Sequence, residues 1–242
     1  MAHFYLLDDL EATTIGARVT LAGSEGRHAS TVSRVRVGES LRIGNGRGLM
    51  LDTTAVHVSK DSVTLEVTTQ SHHERPVPTI TLVQALAKND RDERAIEACT
   101  ELGIDAILPW AAERSISRWE GPKIEKGISR WQAIVREATK QSIRPFVPTV
   151  LNYQKLTAVV QTLAGSQVLV LDPTGEVALG DVALALTDVA LVVGPEGGIT
   201  PNELQLFRAQ GASIVTLGAN ILRTSTAGPA ALAIVSSRLR RL

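Results

Sequence analysis

The sequence is poor in cysteine, in aromatic residues and in net charge, and each shortage removes a class of protein. Cys99 is the only cysteine among 242 residues, which excludes an intramolecular disulfide and any zinc or iron–sulfur site built on several thiolates, and suits a reducing compartment such as the cytoplasm. Aromatic residues make up only 3% of the chain, too few for an RNA-binding sheet that stacks several bases on exposed rings, although recognition through shape and phosphate stays open. Twenty-five basic residues balance twenty-five acidic ones, so a nucleic-acid surface has to be a local patch. No apolar run approaches the roughly 18 residues of a membrane span. The opening MAHFYLLDDL places Asp8 and Asp9 where a signal peptide needs apolar residues, so secretion is not expected. Walker A, dinucleotide and nucleophile-elbow motifs are missing, which leaves kinase, dehydrogenase and serine-hydrolase readings without residues. His3, His28, His57, His72 and His73 show no zinc-helix spacing; they read as solvated surface, and no metal is expected.

What remains is a globular composition, 44% hydrophobic and 21% charged, in a chain long enough to bury roughly 70–75% of the surface its unfolded form exposes. The character of the sequence changes at SHHERPVP, residues 71–78, which separates an expected domain 1–72 from an expected domain 73–242. Before the change, short extended runs (Arg18–Leu21, Ser40–Ile43, Ala55–Val58, Val63–Val67) divided by Gly, Asn and Asp suggest a small β-barrel. After it, the apolar runs Ile80–Leu86, Ala106–Pro109, Val168–Leu171, Val189–Val193 and Ser213–Leu217 alternate with helical patterns, the signature of an α/β fold with a parallel sheet. Helix limits are also legible. Asp90 with Glu93 predicts a capped start and Gly103 a stop. Pro122 suits a first helical position, with Ile124, Ile128, Trp131, Val135 and Ala138 on one face. Thr200-Pro201-Asn202-Glu203 predicts another capped start, with Gly211 as the stop. A last helix is expected from Thr224 or Pro229.

Most motifs have plain readings. Gly44-Asn45-Gly46-Arg47-Gly48 runs into a strand-like segment rather than a helix, so it reads as a tight turn and not a phosphate loop. Cys99 has helical apolar spacing with Ala95 and Leu102 and reads as a small buried residue. Arg27, Arg34, Arg36, Arg42 and Arg47 lie close together with only Glu25 and Glu39 for balance, either a phosphate footprint or arginines dispersed around a barrel. The sharpest feature is a strand ending in Gly194-Pro195-Glu196-Gly197-Gly198-Ile199-Thr200-Pro201, matched by a second ending in Gly218-Ala219-Asn220-Ile221-Leu222-Arg223-Thr224-Ser225-Thr226-Ala227. Two such loops at the carboxyl edge of a parallel sheet make a pocket in which a ligand meets backbone amides.

With His28-to-Arg34, Asn45-Gly46, Thr100-Glu101-Leu102-Gly103, Glu113-Arg114-Ser115, Glu137-Ala138 and Gln141-Ser142, these loops resemble the RsmE family. Its members are bacterial 16S rRNA uridine-N3 methyltransferases of the knotted SPOUT class of S-adenosylmethionine enzymes. The resemblance implies a PUA-like barrel gripping RNA, an α/β domain with a trefoil knot around the cofactor, and a homodimer acting on the small ribosomal subunit. It points to Leu171, Gly194, Pro195, Gly197, Leu217, Gly218, Ile221, Leu222 and Thr226 for S-adenosylmethionine, with Leu171-Asp172-Pro173 closing the pocket. Arg27, Arg34 and Arg36 are expected to hold RNA. Arg223 is expected to meet charge on the base, and Glu196 to act as a base or cofactor acceptor, or else to cap its own loop. Asn220 and Ser225 stand where the family pattern has an arginine and a glutamate, and Ser33 where it has an apolar residue. Two readings from other classes stay open at this point: a non-catalytic RNA-binding or ribosome-assembly protein, and a small-molecule enzyme using the same loops.

Overall fold

The computed structural model describes residues 3–241, so the outer limits expected at residues 1 and 242 lie outside the described residues. The chain forms two compact units, one from the segment up to Arg75 with Thr139–Val147, the other from Pro76–Ala138 with Pro148–Leu242. The division therefore falls three residues later than the expected 72/73, and the first unit gains a distant segment. The cause lies in local pairing: Gly48 donates its N–H to Pro145 O (2.9 Å), Val147 to Gly46 O (3.0 Å), and Lys140 pairs with Glu25 at 3.0 Å.

The first unit carries β1 (His3–Leu6), β2 (Arg18–Leu21), the single turn α1 (Gly23–Arg27), a π-helical turn at His28–Val32, β3 (Ser40–Gly44), β4 (Leu49–Val58) and β5 (Val63–His72). The strands form one sheet in the order β1-β3-β4-β5-β2, with irregular register at Asp52/Thr53 and Ala55/His57, where bulges bend and twist a sheet. Alternate residues Leu41, Ile43, Leu49, Leu51, Ala55, Val63, Leu65 and Val67 share a core with Tyr5, Leu21 and Ala29. Gly44–Gly48 is the turn between β3 and β4, with Asn45 Oδ1 accepting from the Arg47 and Leu49 N–H groups.

The second unit is wound in the order β6 (Ile80–Ala85), α2 (Arg91–Glu101), β7 (Ala106–Ala111), α3 (Pro122–Gln141), β8 (Thr149–Val150), β9 (Gln154–Lys155), α4 (Leu156–Thr162), β10 (Gln167–Leu171), β11 (Val177–Ala178), β12 (Val189–Val193), α5 (Pro201–Ala209), β13 (Ser213–Thr216) and α6 (Thr224–Arg238). The last turn of α3 joins the first unit. The sheet runs β11-β13-β10-β12-β6-β7-β8, with β9 also on β7, and every pairing is parallel. Strand β12, the run Val-Ala-Leu-Val-Val, is buried throughout, as a strand covered on both faces should be.

Capping explains the helix limits, with one correction. Thr200 forms a full capping box with Glu203, and Pro201 opens α5. The start of α2 is different: Asp90 is left-handed and its side chain caps nothing. The buried Asp92 carboxylate takes that part instead, accepting N–H bonds from Ala87 and Glu93, while burial raises its pKa against the opposing pull of those bonds. Glu93 turns outward to Arg130.

At the amino edge of the sheet, Asp105 accepts from Ile80 N–H (2.7 Å) and from both terminal nitrogens of Arg241 (2.8 and 3.0 Å). Arg241 also reaches Pro78 O and Gly103 O. Cys99 is fully buried, and burial pushes its thiol far above the ordinary range, which suits packing and not nucleophilic chemistry. Among the described residues no helix is long and apolar enough to cross a membrane.

Candidate active site

Strands β10, β12 and β13 are adjacent and parallel, so the segments following them meet at one edge. There they enclose a cleft of about 450 Å³, within the usual size of a small-ligand site. Leu171, Asp172 and Pro173 come from β10, Gly194, Pro195 and Glu196 from β12, and Leu217 through Arg223 from β13. A ligand at the carboxyl edge of a parallel sheet, where the strand order reverses, is the general rule for such folds.

The loops are tied together from beneath. Buried Gln84 on β6 donates Nε2–H to Thr224 Oγ1 (2.9 Å), and Thr224 donates its hydroxyl hydrogen to Gly194 O (3.0 Å). Trp110 Nε1–H donates to the neighbouring Val193 O at 3.0 Å. From the other side, Arg114 donates to Gly197 O (3.0 Å), Thr200 Oγ1 to Glu113 Oε2 (3.0 Å) and Ser115 Oγ to Leu86 O (3.0 Å). Glu113 and Arg114 thus brace the glycine-rich loop, while Ser115 ties their segment to the chain just beyond β6. Two glycines have opposite roles in that framework: a Cβ on Gly194 would lie 2.7 Å from Ile199 Cγ1, so the turn closes only without one. Gly218, at φ +109°, has nothing within 4 Å of its missing Cβ and leaves its backbone open.

Most of the expected residues gather here: Leu171, Gly194, Pro195, Glu196, Leu217, Gly218, Ile221, Leu222 and Arg223 all line the cleft. Gly197 and Thr226 do not. Gly197 faces Arg114, whose Cβ would stand 3.0 Å from an added Cβ. Thr226 lies on the exposed side of α6, because two residues along a helix rotate a side chain by about 200°. Thr224, at the phase that points inward, is buried and is the α6 threonine that lines the cleft. Arg91 was not foreseen. Its Nη1 lies 3.2 Å from Glu196 Oε1, which also accepts Lys88 N–H at 3.0 Å; the partners are 105 residues apart, so spacing gives no hint of the pair.

Glu196 is thus neither unpartnered nor a cap of its own loop: Oε1 is committed to Lys88 and Arg91, while Oε2 bonds no described residue. The Arg223 guanidinium is exposed and unpaired among the described residues. Asn220 and Ile221 are exposed on the rim, Ile221 at 82%. In the first unit Arg27, Arg34 and Arg36 are all exposed, and none forms an ion pair there, whereas Arg42 is held by Asp52 at 2.6 Å and lowers that carboxyl's pKa. Arg34 adopts a left-handed conformation, φ +53°, just beyond the π-helical turn, and both features recur at functional sites. Ser33 is not idle, since its Oγ accepts the Tyr5 hydroxyl at 3.0 Å.

Comparison with known proteins adds to this geometry. A family model described as an RNA methyltransferase domain matches residues 73–236. Ribosomal RNA small subunit methyltransferase E of Mycobacterium tuberculosis is 39% identical over 97% of this chain and 91% of its own length. The Bacillus subtilis protein of the same name is 30% identical over 90% of this chain and 89% of its own. The crystal structure of that methyltransferase from Neisseria gonorrhoeae, bound to S-adenosylmethionine, superposes with a TM-score of 0.88 at 30% identity, covering 98% of both chains.

Proposed function

The chain belongs to the RNA methyltransferase family that includes ribosomal RNA small subunit methyltransferase E, and from that membership we propose that it methylates N3 of a uridine in 16S rRNA, with S-adenosylmethionine as donor. The observation that carries the reading is the three-loop cleft at the carboxyl edge of β10, β12 and β13, inside the segment that the family model matches. The cleft fits the cofactor: it has the volume, an apolar rim at Ile221 and Leu222, and open backbone at Gly218, whose positive φ disfavours any side chain.

When bound, S-adenosylmethionine supplies a methyl group already activated by its sulfonium. The protein's share is to align the uracil and exclude water, since orientation alone removes much of such a barrier. Uracil N3 carries a proton at neutral pH, so the site has to take that proton and stabilise charge spreading onto the carbonyl oxygens. Arg223, whose guanidinium has no competing partner, meets that charge. Glu196, anchored through Oε1, offers Oε2 to the proton. Gln84 and Thr224 hold the Gly194 turn in place.

The first unit is read as the PUA-like RNA grip, with Arg27, Arg34 and Arg36 on phosphates. Replacing all three with alanine is expected to lower the salt slope of RNA binding by about two, at roughly 0.7 per contact on single strands, with cofactor binding intact. The reading also includes a trefoil knot, supported by a chain that leaves β13, crosses the carboxyl ends of β10 and β12, and packs Gly228 of α6 against Leu82 and Val193. It includes a homodimer, expected in solution at twice 25.9 kDa.

The deciding experiment is incubation with isotope-labelled S-adenosylmethionine and unmodified small ribosomal subunits, followed by digestion of the RNA. Labelled 3-methyluridine is the expected product. Label in another nucleoside would overturn the N3 assignment, and cofactor binding without any labelled RNA would favour a different substrate. Failure to bind the cofactor would favour a non-catalytic RNA-binding protein.

A further inference from the structure

Four charged side chains line the cleft, and they are unequally matched. Glu196 is paired with Arg91. Arg223 is unpaired but exposed, and water serves it. Asp172 is the anomaly: it is only 8% exposed, it has no cationic partner among the described residues, and it sits on the cleft wall at the end of β10.

Its position is built rather than incidental. The Asp172 N–H donates to Val215 O at 3.0 Å, fixing the backbone to β13. Oδ1 accepts both the N–H of Thr174 (2.9 Å) and its hydroxyl hydrogen (2.6 Å). Those two bonds orient the carboxylate, and Oδ2 is left with no hydrogen-bond donor from the described residues. A carboxylate oxygen held on the wall of a cleft, with no donor and no cation of the described residues opposite it, is available to a cationic ligand that enters.

We propose that Asp172 supplies the negative charge facing the sulfonium of the methyl donor, and that Thr174 is the residue that positions it. The inference rests on the reading of this cleft as a site for S-adenosylmethionine. It assigns a specific task to one carboxylate. The methyl donor carries one more positive charge than its demethylated product, S-adenosylhomocysteine, so a carboxylate at the sulfonium distinguishes the two. The cleft then holds the donor preferentially and lets the spent product go.

Calorimetric titration of the full chain with each of the two compounds, for the unmodified protein and for Asp172→Asn, tests this directly. Asparagine keeps an Oδ1 acceptor for Thr174, and the melting temperature without ligand checks that the loop still folds. The expected result is at least a tenfold loss of affinity for S-adenosylmethionine with less than a threefold change for S-adenosylhomocysteine. Asp172→Glu and Asp172→Gln, equal in length and different in charge, repeat the comparison even if Asp172→Asn folds poorly: the glutamate is to retain the preference for the donor and the glutamine to lose it. Thr174→Val, which keeps the charge but loses the hydroxyl bond, should weaken donor binding by less than Asp172→Asn does. Donor affinity in Asp172→Asn within twofold of the unmodified protein would overturn the proposal, as would an equal loss for both compounds. An unmodified protein that binds neither compound would instead overturn the cofactor reading on which the proposal rests.

Discussion

The two edges of the parallel sheet treat charge in opposite ways. At the amino edge the Asp105–Arg241 pair is answered on both sides: Asp105 takes Ile80 N–H and a bidentate Arg241, and Arg241 spends further hydrogens on Pro78 O and Gly103 O. At the carboxyl edge Asp172 and Arg223 line the cleft with no opposite charge among the described residues, and the ion pair found there, Glu196 with Arg91, is part-exposed. Both edges belong to the same strands, so the difference comes from the segments attached to them. One edge is where the sheet is fastened, and the other is where binding groups stay available.

The sharpest way to break this contrast is to remove an answered charge. Asp105→Ala leaves the Arg241 guanidinium buried without its partner, a loss of about 3–5 kcal/mol, or on the order of 10 °C in melting temperature for a chain of this length. Cofactor affinity measured by calorimetry should hold within a factor of two; if it falls with stability, the two edges are not independent. Arg223→Ala is the complementary change. Turnover is expected to drop by about a hundredfold, the scale for losing one donor to developing negative charge, while the melting temperature stays put; unchanged turnover would remove Arg223 from the chemistry. Thr200→Ala sits between the two, because Thr200 caps α5 and also bonds Glu113 behind the glycine-rich loop. A loss of about 1 kcal/mol is expected from the cap, read as roughly 2–4 °C, with donor affinity nearly unchanged. The smallest effect should come from the half-exposed Arg42–Asp52 pair of the first unit, at about 0.2–1 kcal/mol in Asp52→Asn. Its sign in pH is fixed: Arg42 holds the native carboxyl below its ordinary 3.8. The contribution is therefore complete above that value and fades as pH falls through the lower native one, so unfolding curves of the two proteins should converge in acid.

Much of the second unit was legible because its signals are local. Thr200, Pro201 and Glu203 specify a helix start within four residues, and apolar runs such as Val189–Val193 can only be buried strands. The glycine-rich loops were legible too, since a strand running into Gly194-Pro195 leaves few alternatives. What escaped depends on partners far along the chain or on helical phase. Asp90 has the right chemistry for a cap, yet Asp92 two residues on is the one whose carboxylate reaches Ala87 and Glu93. Thr226 and Thr224 are equal as letters, and only the rotation of α6 chooses between them. Arg91 meets Glu196 across 105 residues, and Thr139–Val147 joins the first unit through pairing with Gly46 and Gly48. Short strands such as β1, β8, β9 and β11 carry too few residues for periodicity to register.

The placement of β12 has a consequence for biosynthesis. It lies between β6 and β10, both of which precede it in the chain, and it pairs with each along five residues. As the polypeptide emerges from the ribosome, β6 and β10 present open edges towards one another until residue 193 is out. Unpaired edges of this kind invite association with other chains. From the completion of β10 at residue 171 to that of β12 at residue 193 both edges stand open at once, and a nascent chain stalled in that window exposes two unpaired strand edges to other chains.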